Sequence, residues 1–269
     1  MEWVQFFLIG GLVGLLAGVF GVGGGSIMVP VLMLIFDAKG FPQQAVAHMA
    51  IGTSFAVIVF TSMGSVWGHH RKANINWKLW RYLAVTLVFG VSLGSWLATE
   101  IPSIYLEPFI GLFFVFVALQ MAFDLLPESD STEPSKFGAS VAGFGIGGAS
   151  AFLGIGGGAI TVPWLRYCAV PMHTAIGTSA ACGLPIAMFG ALSYWWFGRM
   201  VESQHFADTG FIYLPAFIGI ALTSVPAATM GAKIGRQFSG RVLSRWFAAL
   251  LFFVAAYVLL KALFQLGVI

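Results

Sequence analysis

Four glycines in five residues interrupt an apolar run, and the interruption occurs twice. The first copy reads Gly18-Val19-Phe20-Gly21-Val22-Gly23-Gly24-Gly25-Ser26-Ile27-Met28-Val29-Pro30. The second reads Ala151-Phe152-Leu153-Gly154-Ile155-Gly156-Gly157-Gly158-Ala159-Ile160-Thr161-Val162-Pro163. Every glycine of the cluster and the closing proline repeat at a constant offset of 133 residues, which implies duplication. Each glycine inside a helix costs about 1 kcal/mol relative to Ala, so the preceding helix is expected to stop here. Backbone broken in this way survives in hydrocarbon only where protein or a water-filled cavity satisfies it. Paired breaks in corresponding positions of two halves point to a transporter binding site.

That argument needs a membrane, and composition supplies one. Only 9% of the 269 residues are charged, 59% are hydrophobic and mean hydropathy is +0.91; a soluble chain carries about 25% charged residues. Long apolar runs cover roughly 3–20, 43–68, 79–98, 103–124, 137–153, 172–197, 210–232 and 241–266, most of them within the roughly 17–25 residues that cross a bilayer. Shorter runs, 26–37 and 159–168, follow the breaks and read as half-helices that re-enter or cross at a tilt. The expected fold is an all-α integral membrane protein of two homologous halves. It has about eight long transmembrane helices plus two Gly-broken half-helices. The N-terminal repeat is 1–124, a polar linker 125–136, and the C-terminal repeat 137–269.

Lys and Arg sit in short loops and read as orientation signals rather than as a nucleic-acid surface. If each half crosses an odd number of times, the halves are inverted. Then 71, 72, 78, 81, 136, 166, 233, 236, 241 and 245 lie in the cytoplasm, and Lys39, Arg199 and Lys261 outside, 10 against 3. Parallel halves give 7 against 6. The positive-inside rule favours inverted repeats in the cytoplasmic membrane with both termini outside. Cys168 and Cys182 lack metal-ligand spacing and read as structural thiols. No metal or cofactor is expected, and the apolar spans make the lipid bilayer the chain's surrounding partner. The four-residue small-residue spacings Gly14/Gly18, Gly90/Gly94/Ala98, Gly143/Gly147 and Ala227/Gly231/Gly235 predict close helix crossings.

A second repeat supports the first. His48-Met49-Ala50-Ile51-Gly52-Thr53-Ser54 matches His173-Thr174-Ala175-Ile176-Gly177-Thr178-Ser179 at an offset of 125. Helices that start after Gly25 and Gly158 expose unpaired amides and carry about half a positive charge at that end, while glycine lets an anion approach the backbone. The candidate binding residues are therefore Gly23, Gly24, Gly25, Ser26, Thr53 and Ser54, with Gly156, Gly157, Gly158, Thr161, Thr178 and Ser179. The competing readings are tight helix crossing for the glycines and bonds back to helix carbonyls for the hydroxyls. His48 and His173 are candidates for proton coupling, or for helix capping. His69 and His70, beside Arg71 and Lys72, read as a solvated loop.

With Gly-x-Gly-Gly-Gly-(x)4-Pro at 21–30 and 154–163, Gly-Thr-Ser at 52–54 and 177–179, and Pro226-Ala-Ala-Thr-Met-Gly231-Ala, nearly the whole chain resembles the sulfite exporter TauE/SafE family. The resemblance implies a permease for sulfur-containing anions, sulfite, sulfoacetate or related organosulfonates, drawn with about eight spans. One departure is that Gly90-Val-Ser-Leu-Gly94 in the first half stands where the second has a proline-containing version, so the site is expected to be asymmetric. The chain is read as a secondary transporter and not an enzyme, working by alternating access. The alternatives are an anion channel, or an intramembrane serine hydrolase using Ser26 with His48 or His173. A hydrolase needs only one nucleophile, and the duplicated motif speaks against it. The residue pattern assigns no catalytic residue and no oligomeric state.

Overall fold

The computed structural model describes residues 2–20, 25–123, 134–201, 208–235 and 240–265. Among these residues ten helices follow one another: α1 (Glu2–Phe20), α2 (Gly25–Ala38), α3 (Val46–Arg71), α4 (Trp77–Glu100), α5 (Ser103–Phe123), α6 (Lys136–Leu153), α7 (Gly158–Tyr167), α8 (Met172–Met200), α9 (Leu214–Gly235) and α10 (Gly240–Gln265). Described residues form no strand. Five helices (α3, α4, α5, α8 and α9) are long and apolar enough to cross a membrane by length and composition. At about 1.5 Å per residue, α2 spans roughly 21 Å and α7 roughly 15 Å. Neither covers about 30 Å of hydrocarbon alone.

Helix ends fall where the local chemistry puts them. Asn76 and Ser135 cap α4 and α6 by accepting the amides of Leu79 and Gly138, each at 3.0 Å, which satisfies one orphan donor at each start. α6 ends because Gly154 takes a left-handed conformation (φ +62°) and returns its amide to Ser150 O at 2.9 Å, a glycine C-cap. Pro30 and Pro163 stand at the same place in α2 and α7, each removing one intrahelical bond. Two sequence expectations are corrected. His69 and His70 belong to the last turn of α3, not to a loop. Lys261 lies within α10, beside Asp37 and Glu107, rather than in a loop.

Packing follows the duplication. α1 packs on α9 and α6 on α4, while α3 packs on α8 and α5 on α10. The first helix of each half therefore lies against the fourth helix of the other. Both of these seams are lined by the small residues of the four-residue spacings. A Cβ at Gly94 would come 2.8 Å from Gly148 O, and one at Gly90 would strike Phe144 O. Across the other seam Gly14 lies against Ser224, and Gly231 against Leu15. Directions can be read from the same contacts. In α1 and α9, Phe6 meets Gly219 and Leu15 meets Gly231, so the two run parallel. Gly52 of α3 meets Tyr194 near the end of α8, whereas Gly177 near the start of α8 meets Asn74 beyond the end of α3. α3 and α8, which occupy equivalent places in the two halves, are antiparallel. So are α5 and α10, where Glu107 meets Lys261 and Gly111 meets Leu259.

Replacing Gly90 by Leu should force α4 and α6 apart, since the new side chain meets backbone that cannot move aside alone. Overpacking of this kind costs about 1–3 kcal/mol or more. A markedly lowered midpoint in size-exclusion thermostability is expected, while the same change at Gly64, where a Cβ meets nothing, should leave the midpoint unchanged.

Candidate anion site at the glycine breaks

The two glycine breaks touch. A Cβ on Gly25, the first residue of α2, would lie 3.2 Å from Ile155 Cα and 3.3 Å from Gly156 N. Two segments 133 residues apart in sequence thus meet backbone to backbone, an approach eased by the Cβ that Gly25 lacks. α3 and α8 cross beside them through equivalent residues, Ile58 and Gly183. Ile58 presses on both Gly25 and Gly156, and Gly183 Cα lies within 3.7 Å of the Cβ that Gly156 lacks. Having Ile on one side and Gly on the other makes the junction asymmetric.

Two carbonyls ahead of the second break are answered by side chains. Ser54 Oγ donates to Gly154 O at 2.8 Å, and Tyr194 OH donates to Ala151 O at 2.9 Å. Gly157, the residue before α7, is also left-handed (φ +75°) and provides no side-chain cap. The amides of Ile160 and Thr161 close on Gly157 O at 3.0 and 2.7 Å; the amides ahead of them have no partner within the helix. Around this start stand hydroxyls. The Cβ position of Gly157 is 3.1 Å from Thr161 Oγ1 and 3.6 Å from Ser150 Oγ. Both hydroxyls are completely buried and have no hydrogen-bond partner among the described residues. Unsatisfied buried polar groups cost about 1–3 kcal/mol each, so a pair of them beside an uncapped helix start needs an explanation.

The remaining sequence candidates divide. Gly25, Ser26, Gly156, Gly157, Gly158 and Thr161 converge on the junction or its helix starts, and Ser26 is buried in the first turn of α2. Gly23 and Gly24 lie outside the described residues. Thr53 and Thr178 are fully buried and make the same bond twice. Thr53 Oγ1 accepts Tyr213 N at 2.9 Å, just before α9, and Thr178 Oγ1 accepts Asn76 N at 3.0 Å, just before α4. They hold helix starts in place. Ser179 is buried with no partner among the described residues. The histidines differ. His48 is buried, stacked on Phe211, with Nε2 3.0 Å from Ala98 O and Nδ1 3.1 Å from Ser103 Oγ; neither nitrogen is left for Ser26. His173 is exposed. Cys168 and Cys182 are buried free thiols.

Sequence reasoning missed Ser150, Gly183 and Tyr194. Ser150 sits four residues before Gly154 and could have been reached by asking which side chains face a helix that ends there. Tyr194 carried no such signal, since its partner is a carbonyl on another helix. A cavity of about 390 Å³ lies elsewhere, lined mostly by apolar residues, among them Val59, Phe60, Leu192 and Phe217, with Thr209 beside them. No charged side chain lines it.

Apolar spans, close glycine seams and a buried polar junction between two broken helices define a multi-pass helical membrane protein. The chain belongs to the Sulfite exporter TauE/SafE family, whose model matches residues 6–258. A probable membrane transporter protein of Haemophilus influenzae is 32% identical over 94% of this chain and 97% of its own length. One from Methanocaldococcus jannaschii is 28% identical over 94% of each chain, and one from Bacillus subtilis is 23% identical over 90% of each. No solved structure matches the chain. It is a membrane transporter by family.

Proposed function

We propose that the chain is a secondary transporter that moves a small sulfur-containing anion, sulfite or an organosulfonate such as sulfoacetate, across the cytoplasmic membrane. The observation that carries this reading is the junction itself. Two broken helices meet at Gly25 and Gly156, with the uncapped start of α7 and the unpartnered hydroxyls of Ser150 and Thr161 beside it. Amides at a helix start and neutral hydroxyls suit an oxyanion. Without a lysine or arginine among them, they would hold it loosely enough to release it. Gly25, Ser26, Gly156, Gly157, Gly158 and Thr161 form the proposed first contacts, with Gly23, Gly24 and Ser179 alongside and Thr53, Ser54 and Thr178 as the frame.

The antiparallel course of α3 against α8 and of α5 against α10 supports inverted halves; eight crossings with both termini outside then follow from the Lys and Arg count. Burial of the junction supports alternating access, because a ligand reaches Thr161 and Ser150 only after helices part. The membrane potential favours efflux, since an anion leaves a negative interior downhill. The family's name favours sulfite over other oxyanions.

Sulfite flux into proteoliposomes, at several imposed potentials and with sulfate, taurine, sulfoacetate and thiosulfate as competitors, tests the reading. Saturable flux that follows the potential and is inhibited by at least one of these is the expected result. Flux that never saturates would replace the carrier with a channel. Folded protein with no flux would remove sulfur oxyanions from the reading.

A further inference from the structure

Away from the breaks, three charged side chains meet inside the helical body. Lys261 Nζ of α10 lies 2.7 Å from Asp37 Oδ2 and 2.8 Å from Oδ1, at the end of α2, and 2.9 Å from Glu107 Oε2 of α5. Gln43 Nε2 adds a bond to Asp37 Oδ1 at 3.1 Å. The Glu107 side chain is only 1% exposed, and its Oε1 has no hydrogen-bond partner among the described residues. Two carboxylates share one ammonium, so the three side chains sum to one negative charge, with Glu107 at the buried end and Asp37 and Lys261 partly exposed, 11% and 15%. Ionisable groups so placed are costly and mark functional sites. A single proton on Glu107 Oε1 makes the cluster neutral. A metal cation does not fit, because the Lys261 ammonium already stands between the carboxylates.

The cluster is one-sided. The offset that relates the glycine breaks places Val170 opposite Asp37, and α7 ends sooner than α2. α2 alone therefore runs from the junction, at Gly25, to an ionic anchor at Asp37. Among the described residues, the charged or titratable groups on neighbouring elements include Lys39, two residues past Asp37, which lies over the Phe6 ring. From α3 comes His48, bonded to Ser103 one turn before Glu107. From α6 comes Lys136, which lies over the Tyr82 ring instead.

We propose that Glu107 is a proton-binding site coupled through Lys261, Asp37 and α2 to the anion site at the breaks, an inference that rests on the reading of the breaks as that site. When Glu107 takes a proton on Oε1, Lys261 is left with Asp37 as its sole counterion and holds the end of α2 more tightly. When the proton leaves, Lys261 is shared and that hold weakens. Proton occupancy at one end of α2 then biases anion binding at the other, and by linkage the anion biases the proton equally.

The test uses the full chain in lipid and has two arms. In the first, infrared difference spectra are recorded on lowering the pH without substrate. The C=O stretch of a protonated buried carboxyl should appear in wild type and in Glu100→Gln, an exposed carboxyl, and be absent from Glu107→Gln. In the second, proteoliposomes are loaded with sulfoacetate, whose sulfonate stays ionised, and compared for flux driven by a proton gradient and for sulfoacetate exchange at equal pH. Glu107→Gln should lose the gradient stimulation by about tenfold or more and keep exchange. A titrating band that persists in Glu107→Gln, or gradient stimulation that survives in it, overturns the proposal. Absence of any sulfoacetate or sulfite flux in wild type overturns the coupling and the reading of the breaks together, while the infrared arm still decides the proton site. If Glu107→Gln is not recovered folded, Glu107→Asp must shift the midpoint at which the band appears; an unmoved midpoint overturns the assignment.

Discussion

Gly157→Val should abolish measurable anion binding and leave a folded, helical protein. Two effects act together. Valine must adopt φ near +75°, which costs about 1–3 kcal/mol for a residue with a branched Cβ. Its Cβ also enters the space faced by Thr161 Oγ1 and Ser150 Oγ and meets Ile186 Cδ1 at 2.7 Å, displacing any ligand from the start of α7. Affinity should fall by about 100-fold or more, equivalent to roughly 2.7 kcal/mol. Gly40→Val separates the effects, because Gly40 has nearly the same φ, +73°, with nothing within 4 Å of its Cβ. It should lose some stability and no affinity. The pair Ser150→Ala and Thr161→Val removes hydroxyls without backbone strain and should weaken binding by about tenfold. Equilibrium binding of radiolabelled sulfite to each purified variant measures all three, and wild-type affinity in Gly157→Val would sink the site.

Lys261→Met should be the most destabilising single change outside the junction. It leaves the buried Glu107 beside the partly exposed Asp37 without a cation, and breaking a fully buried ion pair by removing one partner costs about 3–5 kcal/mol, which sets the upper end here. Neutralising the stranded partners as well, in Lys261→Met/Asp37→Asn/Glu107→Gln, should restore most of the lost thermal stability, since a buried ionic cluster replaced by neutral groups is often neutral or stabilising. Differential scanning calorimetry in detergent compares the two. A single mutant as stable as wild type would mean that the cluster is solvated and not buried.

Much of the fold was legible because hydrocarbon leaves few choices. The ten apolar runs became ten helices with ends within a few residues of expectation, and the glycine spacings became the α1–α9 and α4–α6 seams. The junction was legible in part. Duplication implied two breaks, but nothing local to Gly25 says that it lies against Ile155 and Gly156. Likewise Thr53 and Thr178 stood out as a repeated pair, yet their bonds to Tyr213 and Asn76 depend on how loops return to the helices. Asp37, Glu107 and Lys261 are 70 and 154 residues apart in sequence. Charge counting treated Lys261 as a marker of membrane side, because pairing with two carboxylates on other helices emerges only once α2, α5 and α10 are assembled.

The central claim is that the two glycine breaks together hold the transported anion. Selenite has the shape and charge of sulfite and scatters X-rays anomalously. Crystals grown with selenite should show one selenium peak between Gly25–Ser26 and the start of α7, within contact of Ser150 or Thr161, and lose it with excess sulfite. A peak displaced by sulfite but lying elsewhere, in the basic 71–81 segment for example, would contradict it.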